Sequence, residues 1–509
     1  MDNSMDKMEQ HLRDLEFICT ELIHFGKMSF QELKAHFEIN KGDVLCTIPH
    51  PSGRGDLICG WQAYERFLHI AKRYLEGFQD LEKQLRAEDM RRALIYDFVN
   101  RFIKRQAPFD SQNVAKMLTA ALNRVKQKRK DLTHFIPCIV CEDKIPDEFF
   151  IGPVHFVLMK KFLADNGGEF ELERQRIYDE HRKRCLDAIE AGTPEERVAS
   201  PEGSKRIADG LVAGVTTYFQ DFPWIAEVRI PQCNEKISRL RAELAVESAL
   251  NVLRVLIGEY HTERILQGAP SPSRTKSACL TKDNRSDRFE FSLSSGLKGA
   301  VFGHDWFSKL STAAGCLLCA IGSSIIGIID PSRCSHLQLR FLDALTWYGQ
   351  GVTEVVPSAK VIKYVAALER IVITKKNEDI SRTVSERVAL LCSEMHPQKY
   401  EEWRRNTIKV YDYRSKLMHG DYSPLSQDLV AISGLAEKIA RVTLQNAILF
   451  YISIEQTLRG ANAKRLEEEF LALQGTLPEP AAHKRETCEW VEQRPNAHMQ
   501  SDEQSGNKE

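Results

Sequence analysis

Four segments in the C-terminal half of the chain carry apolar residues at intervals of three and four, the spacing of one buried helix face. They are RFLDALTWYGQGVTE, KVIKYVAALERIVI, ISRTVSERVALLCSEM and EKIARVTLQNAILFYISIEQTL. A helix with such a stripe must bury it against other elements, and only short connections separate these four segments. The pattern therefore predicts that residues 301–474 form a compact helical bundle.

The rest of the chain divides by changes of pattern. A length of 509 residues exceeds one ordinary domain. Residues 1–130 are mostly helical by pattern, whereas residues 131–300 mix short apolar strands with helices. Residues 475–509 lack core-forming side chains and are predicted to be disordered. The predicted fold class is multidomain and mainly α, with a smaller mixed α/β part and a C-terminal helical bundle.

Local signals predict individual elements in the first 300 residues. β-branched and aromatic density indicates strands at HFIPCIV and FFIGPVHFVLM, with Gly152-Pro153 as a bend. Asp110 is a predicted N-cap of a helix that continues to Lys126. The remaining predictions are helices over 61–81, 169–191 and 236–257, polar loops over 48–60, 192–204 and 267–287, and a strand at FEFSLSS.

Charge and hydropathy bear on the location of the protein. Seventy Lys and Arg balance seventy-one Asp and Glu, so no global field attracts the chain to nucleic acid or membrane. The start MDNSMDKMEQ has no secretory pattern. The uncharged run between Lys309 and Asp330 is long enough to span a membrane, which stays an alternative. Its glycines and serines, without an aromatic belt or basic flank, favour a buried helix from Leu310 to Ile321 that breaks at Gly322-Ser323-Ser324. We expect a cytoplasmic protein that does not bind a membrane.

Thirteen cysteines are scattered singly or in two CxxC pairs. An odd, scattered set is typical of reduced thiols in a cytoplasm. The pairs Cys138/Cys141 and Cys316/Cys319 enclose Ile-Val and Leu-Leu, whereas zinc knuckles use polar turns. Both pairs are therefore predicted to be buried free thiols, and neither a metal nor another cofactor is expected.

The segment KYEEWRRNTIKVYDYRSKLMHG alternates aromatic and cationic side chains on one predicted helix. Such an element suits an RNA backbone with unstacked bases, but composition alone favours an amphipathic helix whose cations reach solvent. Gly420 is a natural helix stop, and cations suit the last turn of any helix. The candidate RNA-binding cations are Arg404, Arg405, Lys409 and Lys416.

Arg414 and His419 are the chemically interesting pair of this segment. On a straight helix, five steps turn them roughly 140° apart, so they share no face. Within one chain they can cooperate only if the helix ends and turns between them. Two copies related by a two-fold axis can instead present both groups to a common cleft.

RSKLMH matches the Arg-x4–6-His signature of HEPN domains, helical bundles found in ribonucleases, and YDYRSKLMHGD resembles their ApeA-like branch, associated with bacterial anti-phage defence. AALERIVI and ISRTVSERVALL fall where that branch carries an ALE-type helix and the following helix. The likeness covers residues 334–460. One departure is Ser415, because the branch often has Asn, Asp or His directly after the arginine.

The resemblance implies a HEPN-like bundle that forms a homodimer and acts as a metal-independent endoribonuclease, a toxin-like defence effector. It also makes residues 131–300 a candidate sensor region. Arg414 and His419 would carry 2′-hydroxyl attack on RNA, because imidazole transfers protons near neutral pH and a guanidinium fork matches phosphate oxygens. Glu369 would hold Arg414. The residues expected to orient these groups or stack a base are Tyr411, Tyr413, Ser415 and Asp421. The alternative, which Ser415 and the balanced charge favour, is a non-catalytic HEPN module for dimerisation or ligand binding.

Overall fold

The computed structural model describes residues 2–39, 44–52, 55–78, 81, 83–141, 146–190, 201–268, 276–283, 288–295, 299–375, 379–394, 396–457 and 460–475. These residues are mostly helical with a smaller sheet part, which confirms the coarse fold class predicted from the sequence. Apart from Gly475, which closes the last helix, the tail predicted to be disordered lies outside the described residues.

The N-terminal part is a helical unit with one small hairpin. Phe67 and Phe98 pack edge to face, with ring centroids 5.3 Å apart, inside a buried cluster formed by this unit. Asp110 caps its last helix as predicted, accepting the Asn113 N–H at 2.8 Å. The elements are α1 (Asp2–Gly26), α2 (Phe30–Ile39), β1 (Leu45–Pro49), β2 (Asp56–Gly60), α3 (Trp61–Leu75), α4 (Ala87–Phe98), a π-helical turn (Val99–Lys104) and α5 (Ser111–Gln127).

The middle part contains a five-stranded antiparallel sheet in the order β4-β5-β6-β3-β7, and one long helix, α8, packs on β3 and β6. The predicted strands HFIPCIV and FFIGPVHFVLM are confirmed within β3 and the β4–β5 hairpin. The elements are β3 (Lys130–Ile139), β4 (Glu148–Ile151), β5 (Val154–Leu158), α6 (Met159–Glu190), α7 (Pro201–Gln220), β6 (Trp224–Cys233), α8 (Glu235–Ile257), α9 (Glu259–Thr262), β7 (Leu266–Gln267), β8 (Lys276–Asp283) and β9 (Arg288–Ser295).

Several predicted boundaries in these two parts are wrong. The predicted loop over 48–60 contains most of the β1–β2 hairpin, and the predicted loop over 267–287 contains β8, which pairs with β9. The end of the predicted loop over 192–204 belongs to α7, which includes Pro201, and residues 192–200 lie outside those described. The helix predicted from 169 begins earlier, at Met159.

The uncharged run lies in α10 (Trp306–Ser324) and α11 (Ile326–Ile329), so the break predicted at Gly322-Ser323-Ser324 falls one residue later, at Ile325. The β4–β5 turn lies directly on α10: Gly152 has φ +56°, a Cβ on it would overlap the Gly322 carbonyl, and a Cβ on Gly322 would lie 2.8 Å from Gly152 N. Within the described residues, Trp306–Ile329 is the one helical stretch long and apolar enough to cross a membrane, and 39% of its most apolar window is buried.

The C-terminal helices pack around the long helix α16. Their apolar core continues into the sheet region without interruption, because α8 contacts both β6 and α12. Ser335 and Gln338 form a reciprocal capping box at the start of α12. The elements are α12 (His336–Val352), α13 (Pro357–Val372), α14 (Ile380–Ser393), α15 (Tyr400–His419), α16 (Asp428–Thr457) and α17 (Ala463–Gly475).

The contact of α8 with α12 depends on a glycine. A Cβ on Gly349 would overlap the Asn251 side chain, which is 1% exposed and accepts a hydrogen bond from Arg254. We expect Gly349→Ala to lower the free energy of unfolding by about 1–3 kcal/mol, the usual effect of overpacking a core. Chemical denaturation of the full chain measures this.

Gly434→Ala is the matched control, because this glycine lies exposed on α16 and no atom lies within 4 Å of its Cβ position. That variant should gain about 0.5–1 kcal/mol from helix propensity alone. If both glycine variants changed stability equally, α8 and α12 would not meet as closely as described.

Candidate functional site

The end of α15 carries the candidate site, and Gly420 defines where the helix stops. Its φ of +81° is left-handed, its N–H donates to Leu417 O at 3.4 Å, and the Asp421 N–H donates to Lys416 O at 2.9 Å. These two bonds form a Schellman motif, which the sequence position of Gly420 predicted. The helix therefore stays intact through His419.

An intact helix separates the two proposed catalytic residues. Arg414 and His419 lie about 7.5 Å apart along the axis and roughly 140° apart around it. The helix does not turn between them, so the single-chain arrangement considered from the sequence is not formed. The arrangement with two copies stays a prediction.

Arg414 faces α13, where it meets Glu369 and Tyr411. Arg414 Nη2 lies 3.6 Å from Glu369 Oε2, and the Tyr411 hydroxyl donates to Glu369 Oε1 at 2.9 Å. The Arg414 guanidinium carbon lies 5.7 Å from the centroid of the Tyr411 ring. Burial, the hydrogen bond to Glu369 and the Glu369 charge raise the pKa of Tyr411 to about 12. Glu369 thus contacts both residues, through a hydrogen bond from Tyr411 and an ion-pair approach to Arg414.

The hydrogen bonding of Arg414 is incomplete. Its side chain is 27% exposed, its Nε is buried without a partner, and the 3.6 Å approach to Glu369 exceeds a normal hydrogen-bond length. Within the described residues, the structure records no hydrogen bond from this guanidinium, which carries five N–H donors. Arg387, in the neighbouring helix α14, instead donates to Val372 O at 2.7 Å and to Glu467 at 2.6 Å.

His419 lies on a different face of α15, among exposed charged residues. Arg405, Lys409, Asp412, Lys416 and His419 recur at intervals of four and three, which places them within about 80° around the helix. All five are exposed, and we call them the exposed strip. Lys416 Nζ lies 2.7 Å from Asp412 Oδ2, whereas the part of the chain described shows no ion pair for Lys409 and no side-chain bond for His419.

Two of the predicted RNA-binding cations, Arg404 and Arg405, contact the same residue, Glu401, at the start of α15. Arg404 is half-buried, lies outside the exposed strip and pairs with Glu401 Oε2 at 3.4 Å. Arg405 Nε donates to the Glu401 carbonyl at 3.3 Å. Arg404 is therefore less accessible to a phosphate than the cations of the strip.

The remaining supporting residues have varied surroundings. Tyr413 packs edge to face on Tyr422, with centroids 5.1 Å apart, and the Tyr422 hydroxyl lies 3.0 Å from Asp428 Oδ2. The contribution of Tyr422 was not predicted, although this residue stands only two positions after Gly420 in a tyrosine-rich segment. Ser415 is half-buried and Asp421 exposed, and among described residues neither side chain has a recorded hydrogen bond. Tyr413 therefore connects the end of α15, through Tyr422, to Asp428 at the start of α16.

The two CxxC pairs differ in exposure. Cys138 and Cys141 are buried as predicted, and burial raises the pKa of the Cys138 thiol well above its ordinary value. The same prediction is wrong for Cys316 and Cys319, which are exposed because α10 packs through its opposite side. Among the described residues, no group of three or more His, Cys, Asp or Glu side chains could hold a metal ion.

Comparison with protein-family models, with curated proteins and with solved structures found no match to this chain. The resemblance to ApeA-like HEPN domains therefore rests on the motif and on the order of the helices. What it implies for function is a proposal.

Tyr411→Phe tests the contact that holds Glu369. We expect a loss of about 1 kcal/mol in unfolding free energy at pH 8, because a half-buried hydrogen bond disappears. The loss should shrink as the pH rises from 10 towards about 12. In that window the unfolded phenol ionises before the folded one, which destabilises only the wild type.

Chemical denaturation of both proteins at about pH 8 and pH 11 measures the change, within the titration range of tyrosine. Tyr260→Phe is the control, since Tyr260 is 87% exposed and should show no effect at either pH. An equal loss for Tyr411→Phe at the two pH values would contradict the role given to Glu369.

Proposed function

We propose that the protein is a metal-independent endoribonuclease of the HEPN type, that it works as a homodimer through its C-terminal helices, and that it is a toxin-like defence effector. One observation carries the proposal: a half-buried Arg414 guanidinium with no recorded hydrogen bond among the described residues, beside a carboxylate that positions it. A purely structural arginine in the same bundle, Arg387, has several acceptors. Guanidinium N–H groups without an acceptor suit a phosphate, because two of its oxygens can accept from the planar fork at once.

The reaction needs three groups around one phosphodiester. A base takes the 2′-hydroxyl proton as O2′ bonds to phosphorus, and an acid protonates the 5′-oxygen as the P–O5′ bond breaks. His419 is assigned a proton-transfer role, because its imidazole is exposed and has no recorded partner within the described residues. Arg414 is assigned to the crowded phosphorane. The products are a 2′,3′-cyclic phosphate and a 5′-hydroxyl, without a metal.

The exposed strip is the proposed path of the RNA backbone. Its cations, Arg405, Lys409 and Lys416, follow the same line as His419 over nearly four turns of α15. A row of cations along one face attracts a polyanion locally although the chain as a whole is almost neutral. Asp412 weakens this attraction where it pairs with Lys416.

Two copies are needed to bring the proposed catalytic groups together. His419 is separated from Arg414 of its own chain by roughly 140° of helix rotation, so the imidazole must meet the guanidinium of a second copy. Exposed apolar side chains close to His419 in sequence favour a protein contact there: Met418 is 55% exposed, Leu425 89% and Val430 65%.

The first test is RNA cleavage by the full chain. With EDTA present, wild type should cut single-stranded RNA to 2′,3′-cyclic phosphate ends, and DNA should stay intact because it lacks the 2′-hydroxyl. Arg414→Ala and His419→Ala should each lower the rate at least about a hundredfold, the lower end for a general acid–base group. Expression of wild type should slow cell growth, and expression of His419→Ala should not.

His396→Ala and Arg370→Ala are matched controls. His396 is an exposed histidine of the same bundle, and Arg370 is a partly exposed arginine already bonded to Asp343 at 2.6 Å. Both variants should keep wild-type cleavage. RNA left intact by wild type in vitro, together with equal growth of cells expressing wild type and His419→Ala, would reject the ribonuclease.

The second test distinguishes a site shared by two copies from a site within one chain. When Arg414→Ala and His419→Ala proteins are mixed and allowed to exchange subunits, each mixed dimer holds one intact combination of Arg414 and His419. Random exchange should therefore restore about a quarter of wild-type cleavage to two inactive proteins. No recovery, despite exchange verified by differently tagged chains, would show that the two residues do not combine across the dimer.

The alternative function is a non-catalytic HEPN module that dimerises or binds a ligand. Two observations favour it: Arg414 and His419 lie on different faces of α15, and Ser415 is half-buried where the family often has Asn, Asp or His. A dimeric wild type that leaves RNA intact would support this alternative. Light scattering of the purified chain at micromolar concentration gives the oligomeric state.

A further inference from the structure

A cleft of about 500 Å³ lies in the N-terminal unit, far in sequence from α15. It opens between the end of β1, the start of α3, and α4 with the π-helical turn that follows it. This volume is within the range of small-molecule sites. Its described lining residues are Thr47, Ile48, Pro49, His50, Pro51, Tyr64, Arg92, Ile95, Tyr96, Val99, Asn100 and Lys104.

The cleft carries positive charge without a matching acid. None of its described lining residues is acidic, and neither Arg92 nor Lys104 has an ion pair with any residue that the structure describes. His50 Nδ1 lies 2.7 Å from Ser52 Oγ and 3.2 Å from Ser52 N, so this ring nitrogen already contacts its own turn. Two cationic donors, Arg92 and Lys104, thus line the cleft, and among the described residues their charge is uncompensated. This arrangement favours an anionic ligand.

The rings of Tyr64 and Tyr96, which line the cleft, each contact an arginine that lies outside it. The Arg91 guanidinium lies 4.4 Å from the centroid of the Tyr64 ring, and the Arg124 guanidinium lies 4.2 Å from that of Tyr96. Neither arginine lines the cleft, and Asp97 holds Arg124 at 3.1 Å. Each ring is therefore fixed by a cation and presents other surface to the cleft. Fixed aromatic surface suits a planar ligand group.

The π-helical turn Val99–Lys104 contributes the floor and one cation. Its wider turn, seen in the bond from the Arg105 N–H to Asn100 O at 3.3 Å, brings residues five apart to the same side. In an α-helix the first and last residues of this turn would point roughly 140° apart. Gln106 follows with a left-handed φ of +51°, which is uncommon for a residue other than glycine. The local register change therefore places Lys104 in the cleft.

We infer that this cleft binds a nucleoside 5′-phosphate. The base of the nucleotide lies against Tyr64, Tyr96 and the prolines 49 and 51, and its phosphate meets Arg92 and Lys104. An inorganic anion would leave the aromatic surface unused, and an uncharged nucleoside would leave the cations unpaired. Only a ligand with both parts uses the whole cleft. This site is separate from the proposed ribonuclease site, because no residue is shared.

Calorimetric titration of the full chain with AMP, GMP, CMP and UMP tests the inference. At least one of these should bind with a dissociation constant below about 1 mM, and its nucleoside and inorganic phosphate should each bind at least about tenfold more weakly. The double variant Arg92→Gln/Lys104→Gln should lower affinity at least about tenfold, because two charge-assisted contacts are lost. Both residues are exposed, so folding should be unaffected.

Lys116→Gln is the matched control, an exposed lysine of α5 outside the cleft, and it should bind like wild type. Binding of none of the four nucleotides overturns the inference. So does binding that the double variant leaves unchanged, or phosphate binding as tight as nucleotide binding. A mononucleotide has no phosphodiester linkage for the proposed RNA cleavage, so this outcome and the outcome of the ribonuclease tests are independent.

Discussion

The burial of α8 between the sheet and the helical bundle is the constraint on which the rest of the structure depends. Every residue from Ser248 to Val255 is buried, more than two full turns, so the helix is enclosed on all sides. Small residues make this possible, and Gly349 of α12 lies directly against Asn251. The enclosed Arg254 is compensated, because it donates to Asn251 and to the Ile265 carbonyl at 2.5 Å. A buried cation without such acceptors would cost several kcal/mol.

Helix α8 also belongs to a chain of contacts that joins the two candidate sites. At the start of α8, the Asn234 amide donates to Asp89 of α4 at 2.9 Å, and α4 lines the cleft of the N-terminal unit that we infer binds a nucleotide. At its end, α9 follows, where Glu259 accepts the Tyr364 hydroxyl of α13 at 2.6 Å. The same helix α13 carries Glu369, less than two turns further along. Contiguous contacts alone do not make regulation, which needs an element with two states that both sites bias. The candidates for such an element are α8 and α13, because each proposed site includes residues of these helices or of elements that contact them.

The sequence predicted what local periodicity determines and failed where a distant partner decides. The helices of the bundle, the helix stop at Gly420 and the angle between Arg414 and His419 follow from spacing along one chain. The approach of Arg414 to Glu369 joins residues 45 positions apart, and no local signal contains that contact. The exposure of Cys316 failed for the same reason, since an uncharged helix does not show which of its sides will pack. Strand β8 was not predicted, because its segment is rich in polar residues. Its strand structure depends on pairing with β9.

Arg414 and Arg387 differ in how completely the described residues satisfy their donors. Arg387 is buried, and its donors are matched by Glu467 and by the Val372 carbonyl, so removing it would leave acceptors unpaired. Arg414 shares Glu369 with Tyr411, whose shorter contact takes one carboxylate oxygen and leaves the guanidinium at 3.6 Å from the other. An unmade hydrogen bond at a half-buried donor costs about 1–3 kcal/mol, and an incoming phosphate would recover it. Because an intact helix keeps the imidazole of the same chain away, such a phosphate would meet its proton-transfer group only at an interface. Activity of this kind would depend on association, and a solitary chain would be inactive.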